Sequence, residues 1–147
     1  ASASISNPYK LVWEQGEGSI AGLVRFFADL DMDGTKDLFV GAKSLLGNGG
    51  GEFHIFLKEL KGYKKLGVIH LNPKSIEFSE KKVFGMRKIK TYWHMSASSG
   101  EIIDFAYNGN EFKKVSSQSV NQGGATSLRK PTIVKIEESG KNLTWKP

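Results

Sequence analysis

From Ala21 onward the chain is written in short strand-sized runs, several with apolar residues at every second position, and many of them bounded by glycine-, asparagine-, aspartate- or proline-bearing turns. A period of two places alternate side chains on opposite faces of an extended strand. "AGLVRFFA" (21–28) sets Val24, Phe26 and Ala28 on one face and Leu23, Arg25 and Phe27 on the other. Further runs follow at "DLFVGA" (37–42), "GEFHIFLKEL" (51–60), "GYKKLGVIHL" (62–71), "SIEFSE" (75–80), "GMRKIKTYWHMS" (85–96), "EIIDFAY" (101–107) and "EFKKVS" (111–116). No segment holds a 3.6-residue apolar pattern long enough for a sizeable helix. Such a chain buries its apolar groups by pairing strands. The expectation is an all-β fold, mainly antiparallel, built as a sandwich, a small barrel or a single propeller-blade-like sheet.

The punctuation agrees with that pattern. Asn108-Gly109 between two alternating runs is the strongest hairpin signal, and Asn72-Pro73 stops a strand. Gly67 and Gly85 fall where bulges or tight bends belong. In "GMRKIKTYWHMS", Ile89, Thr91, Trp93 and Met95 share one face, opposite Lys88, Lys90, Tyr92 and His94. The 147 residues are 39% hydrophobic, which suits one domain with a real core. We divide them into a flexible N-terminus (1–8), a β domain (9–118) with a distinctive hairpin at 22–42, a loop (119–130), and a terminal hairpin or tail of the same domain (131–147).

The distinctive hairpin is "ADLDMDGTKDLFVG" (28–41), which places Asp29, Asp31, Asp33 and Asp37 within nine residues. One or two aspartates serve a turn; four so close repel one another unless a cation lies among them. Alternating carboxylates on a curling chain supply the six to eight hard oxygen ligands that calcium takes. Gly34 gives the sharp turn, Thr35 stands where a backbone carbonyl serves as ligand, and Asp37 occupies the ninth position. The metal ligands expected are therefore Asp29, Asp31, Asp33, Thr35 and Asp37, with Ca2+ as the ion. An EF-hand does not fit, because Val40 stands where a bidentate glutamate belongs and both flanks are β-type.

"FFADLDMDGTKDLFVG" resembles the calcium-binding hairpin of FG-GAP/VCBS-type repeats, as in integrin-like β-propellers, by Asp29, Asp31, Asp33, Asp37, Leu38 and Gly41. The resemblance covers about 20 of the 147 residues and occurs once, whereas a propeller needs at least about four blades. It implies a structural calcium ion in a β-hairpin and a calcium-rich, periplasmic or secreted setting.

Charge divides the chain. Residues 1–57 hold four basic and seven acidic groups, and the following ninety hold 17 and 8. A basic C-terminal part suits an acidic partner or an anionic envelope polymer. The start "ASASISNP" reads as the processed terminus of an exported protein or as an expression scar. No apolar run approaches the ~18 residues of a spanning helix, so no transmembrane segment is expected. With no cysteine, disulfides and thiolate chemistry are excluded.

Other motifs carry less. The glycine-rich turn Gly47–Gly51 lacks the Lys-Ser/Thr ending of a phosphate loop. His54, His70 and His94 have no metal-type spacing. A Ser-His-Asp site drawn from "SASSG", His94 and Asp104 lacks a nucleophile elbow. "EKKVFGMRKIKTYWH" (80–94) mixes basic and aromatic residues without a nucleic-acid-binding signature, so no nucleic-acid partner is expected. Met86, Met95, Trp13, Trp93 and Trp145 read as core or rim, and Asn142-Leu143-Thr144 as a chance glycosylation acceptor. The functional expectation is a calcium-binding all-β protein, not an enzyme, that works through contact with another protein. It would act as an inhibitor or immunity-type protein of an envelope enzyme or secreted toxin. A carbohydrate- or matrix-adhesion module is the alternative, and a hydrolase the weaker one.

Overall fold

The structure, a computed structural model, describes residues 4–15, 22–43, 50–96, 99–121 and 128–139, with the side chains of 94–96 and 121 outside that description. The Gly47–Gly49 part of the glycine-rich turn, the side chains of His94 and Met95, Ala97 and Ser98, Asn142–Thr144 and Trp145 lie outside the described residues. The chain order is helix α1 (Pro8–Glu14), then strands β1 (Leu23–Ala28), β2 (Asp37–Ala42), β3 (Gly51–Glu59), β4 (Gly62–Leu71), β5 (Ile76–Val83), β6 (Met86–Ser96), β7 (Ser99–Tyr107), β8 (Phe112–Asn121) and β9 (Glu137–Glu138).

Two antiparallel sheets pair face to face as a sandwich. The first has the order β4-β3-β2-β1-β9 and the second is the meander β5-β6-β7-β8. Val24, Phe26, Phe39, Phe53 and Ile55 of the first meet Ile76, Phe78, Ile89, Phe105 and Phe112 of the second in one continuous core. Phe26 and Phe39 are register partners and stack with ring centroids 4.4 Å apart, the kind of cross-strand pair that fixes register. The all-β expectation holds, and its sandwich form is the one adopted.

The outer face of the first sheet is covered too. Helix α1 lays Tyr9 and Val12, three residues apart on one side of the helix, over Leu23, Leu38, Val40, Phe56 and Tyr63. Asn7 caps the helix by accepting from Lys10 N–H at 3.1 Å, and Pro8 begins it. Strand β2 lies between two covered faces and is buried at all six positions, so after Asp37 its residues 38–42, "LFVGA", form a continuous apolar run and not an alternation.

Three boundaries differ from those expected along the chain. The N-terminal 1–8 segment is attached where it is described: Ile5 exchanges two backbone hydrogen bonds with Tyr63, each 2.8 Å, and Pro8 opens the helix. Strand β8 runs through Asn121, so the first part of the 119–130 loop is strand, and Leu128 at its far end is buried. The 131–147 segment forms no hairpin within its described part. Thr132 bridges to Ile76 on β5 and β9 pairs with β1, so the tail straps one side of the sandwich to both layers.

The connections behave as the turn residues ask. Asn108 accepts from the N–H groups of Asn110 and Glu111 and so closes the β7–β8 hairpin. Gly67 lies at a register shift between β3 and β4. Asn72 carries the chain between sheets, its side-chain amide donating to the Tyr92 carbonyl at 3.1 Å.

Candidate metal centre

The β1–β2 connection spans residues 29–36, and its shape follows from two opposed demands. Leu30 is fully buried in the core between the sheets, while Met32 to Lys36 stand exposed. Between them the backbone must reverse tightly. It does so through left-handed conformations at Met32 (φ 60°) and Gly34 (φ 88°), the second cost-free only for glycine.

The side chains of the loop organise its backbone. Asp29 accepts from the N–H of Asp33 at 3.3 Å and of Gly34 at 2.8 Å, and Asp33 accepts from Thr35 N–H at 2.8 Å. The last is an Asx turn, the first two reach four and five residues along the loop, and together they hold its curl. Asp37, at the foot of β2, is wholly buried and accepts from Leu30 N–H and Lys58 N–H, each at 2.9 Å. Neighbouring strands close the arrangement. Arg87 N–H donates to the Leu30 carbonyl at 2.7 Å, and the Lys82 ammonium donates to the Asp31 carbonyl at 3.1 Å.

Asp29, Asp31 and Asp37 converge, each offering a carboxylate oxygen within 4.8 Å of the others. Oxygens that share one calcium at about 2.3–2.6 Å lie no more than about 5 Å apart, so the three fit a single ion of that size. Asp31 Oδ1 is shielded from solvent and has no hydrogen-bond partner. A buried acceptor without a donor is costly unless a cation supplies the missing charge.

The carboxyls carry the strain of that arrangement. Burial, with Asp33 and Asp29 adjacent, pushes the Asp31 carboxyl up to about 6. Burial also pushes Asp37 up to about 6, against the lowering effect of its two N–H donors. Asp33 is held below the usual range, chiefly by the Thr35 N–H. Of the five ligands expected from the sequence, the structure thus gathers Asp29, Asp31 and Asp37. Asp33 and Thr35 stand exposed at the rim, with Asp33 engaged by the Thr35 backbone. Leu30, Lys58, Lys82 and Arg87 also build the site; their contacts reach across strands, so spacing along the chain carried no sign of them.

The remaining candidates sit elsewhere. His54 is buried and lies parallel to the Phe56 ring, a core position. His70 packs on Trp93 beside a groove of about 360 Å³ that Ile103 and Phe105 also line, and burial lowers its pKa. Lys90 pairs in register with Glu77 on one side and Asp104 on the other, so part of the basic face is matched by acids across the strands. Asp104 accepts from the Ser116 hydroxyl at 3.0 Å. No helix among the described residues is long and apolar enough to cross a membrane. Comparison with protein-family models, with curated proteins and with solved structures gives no match.

Proposed function

We propose that the β1–β2 loop is a single-copy calcium hairpin of the FG-GAP/VCBS kind, in an exported protein that acts by contact with another protein. The observation that carries the metal reading is the convergence of Asp29, Asp31 and Asp37 around the unpartnered Asp31 Oδ1. Calcium fits best among hard cations, because it accepts flexible, carboxylate-rich loops and variable ligand number. The ligand set is Asp29, Asp31 and Asp37, with Asp33 and the Thr35 carbonyl completing the shell from the rim. The ion's role is to pin the hairpin; it performs no chemistry. A loop whose rim ligands, Asp33 and Thr35, face solvent suits the weak calcium affinities of extracellular modules, which supports a periplasmic or secreted setting.

The contact surface is argued from β8. Its residues 113–119 are all exposed, and among the described residues it has β7 on one side and no strand on the other. Such an edge is a template for strand addition by a partner, with Lys113 and Lys114 guarding it against its own kind. The partner class is an envelope enzyme or secreted toxin that the chain inhibits. Calorimetric titration of the chelated protein with calcium tests the first part: saturable one-site binding supports it, and no heat beyond that of an Asp31→Asn variant overturns it. For the second, a captured enzyme that loses activity at equimolar chain supports inhibition. Retention on glycan columns without such a partner replaces that reading with the adhesion module.

A further inference from the structure

The connections at one end of the sandwich form a single surface. Asp37 accepts from Lys58 near the end of β3, which brings the β3–β4 turn, with Leu60 and Lys61, beside the aspartate loop. Across the layers, the bonds from Arg87 to Leu30 and from Lys82 to Asp31 set the β5–β6 turn against the same loop. A Cβ on Gly109 would lie 3.4 Å from the Phe84 ring, so the β7–β8 turn joins them. Among the described residues, four connections share this pole.

Its composition runs against what turns and solvent ask for. Among the described residues eight large apolar side chains are exposed, and four of them gather here: Met32, Leu60 and Phe84 on these connections and Val83 at the end of β5. Phe84 and Gly85 form a two-residue turn with φ of 51° and 83°, the type I′ conformation in which asparagine or glycine is relaxed. Phe84 is nonetheless phenylalanine and 69% exposed; Met32, 53% exposed, is left-handed too. Neither local conformation nor packing accounts for bulky apolar residues there. Lys36 and Lys61 are exposed on the same connections, and Lys81 and Lys82 on the last residues of β5 leading into one of them.

We propose that this pole is a calcium-gated docking face for an anionic lipid bilayer. Single apolar tips on separate convex turns enter the fluid headgroup and acyl boundary, whereas a folded protein partner offers rigid pockets to a contiguous patch. The lysines lay their stems along that boundary and meet lipid phosphates with their ammonium groups. Over residues 29–37, 58–61, 81–87 and 108–111, the connections with the strand ends beside them, six acidic groups offset six basic ones when no ion is bound. One divalent cation leaves the pole net positive, so attraction to anionic headgroups begins when the loop fills. The inference rests on calcium occupying that loop.

The test is cosedimentation of the whole chain with vesicles of phosphatidylcholine, with and without phosphatidylserine, in calcium or chelator. Calcium binding is measured separately by calorimetry. The expected result is partition onto serine-lipid vesicles in calcium alone. Phe84→Asn should weaken partition about tenfold with calcium affinity unchanged, as loss of one inserted aromatic requires. Calcium binding without partition overturns docking and leaves the metal reading standing. Absence of calcium binding overturns both. Equal partition in chelator, equal partition onto pure phosphatidylcholine, or retention only by an acidic polypeptide each overturns the calcium-gated lipid face.

Discussion

A carboxylate oxygen removed from water and given no donor, as at Asp31 Oδ1, costs free energy that a proton or the proposed cation would recover. Asp31→Asn is therefore predicted to have opposite effects in the two conditions. In chelator its stability should be unchanged or up by less than about 1 kcal/mol, because a repelling charge is gone. In calcium the variant should bind the ion about 100-fold more weakly or worse, as expected when a direct ligand is lost. Urea melts in each condition, with calorimetry, check both. The protons give a second handle. Asp31 and Asp37 titrate near 6 in the folded chain and near the ordinary carboxyl value of about 3.9 when unfolded. Between those values the folded state holds protons that the unfolded state has lost, so stability falls as pH rises. The two carboxyls should therefore favour pH 4.5 to 5 over pH 7 in metal-free protein, against an opposite contribution from His70, whose lowered pKa costs stability on acidification. Removing one carboxyl isolates their part: metal-free Asp31→Asn should lose less stability towards pH 7 than the parent, and an identical pH profile would contradict the environment described for Asp31.

At the scale of elements, the β5–β6 turn isolates a local conformational cost. Phe84 holds φ 51°, a region that costs a bulky residue of order 1–3 kcal/mol and asparagine less. Since its side chain is exposed, little packing is lost on replacement. Phe84→Asn is predicted to stabilise the fold by about 0.5–1 kcal/mol, read as a raised urea midpoint with unchanged slope. The same turn shows which features are legible along the chain itself. Gly85 announced a bend, as Asn108-Gly109 announced its hairpin, because turn chemistry is local. The aspartate spacing announced a loop crowded with carboxylates for the same reason, yet it could not say that Asp33 would turn to the Thr35 N–H and leave three carboxylates converging. Helix α1 escaped because seven residues hold no sustained period. Its only local marks were Asn7-Pro8 at its start and Tyr9 and Val12 at a spacing of three. Strand β9 is two residues long and is held by long-range bonds, including Ser139 N–H to the Leu23 carbonyl, so nothing in its own sequence marked it. Strand β8 continued through "SSQS" because β7 supplied partners, although exposure on both faces erased the alternation.

For the whole molecule the question is whether the proposed ion at one pole would stabilise a hairpin or the sandwich. The loop belongs to both layers. Leu30 sits in the core shared by the two sheets, Arg87 of β6 donates to its carbonyl, and Asp37 draws in β3 through Lys58. Local opening of the loop would therefore expose core residues and break bonds to β3 and β6 together, so the loop has little freedom to unfold alone. A ligand that binds only the folded state then adds its binding free energy to the global transition, about 2.7 kcal/mol at a hundredfold excess over Kd. In a domain of this size that corresponds to a rise in Tm of several degrees. Hydrogen exchange distinguishes the two cases. Calcium is predicted to slow exchange of globally protected amides in β2, β3, β6 and β7 by the same factor. Slowing confined to β1, β2 and the loop would mean that the hairpin opens independently and that the stitches from Arg87 and Lys58 are too weak to couple it. A uniform factor, matching the calorimetric affinity at the calcium concentration used, would place the ion's effect on the sandwich as one cooperative unit.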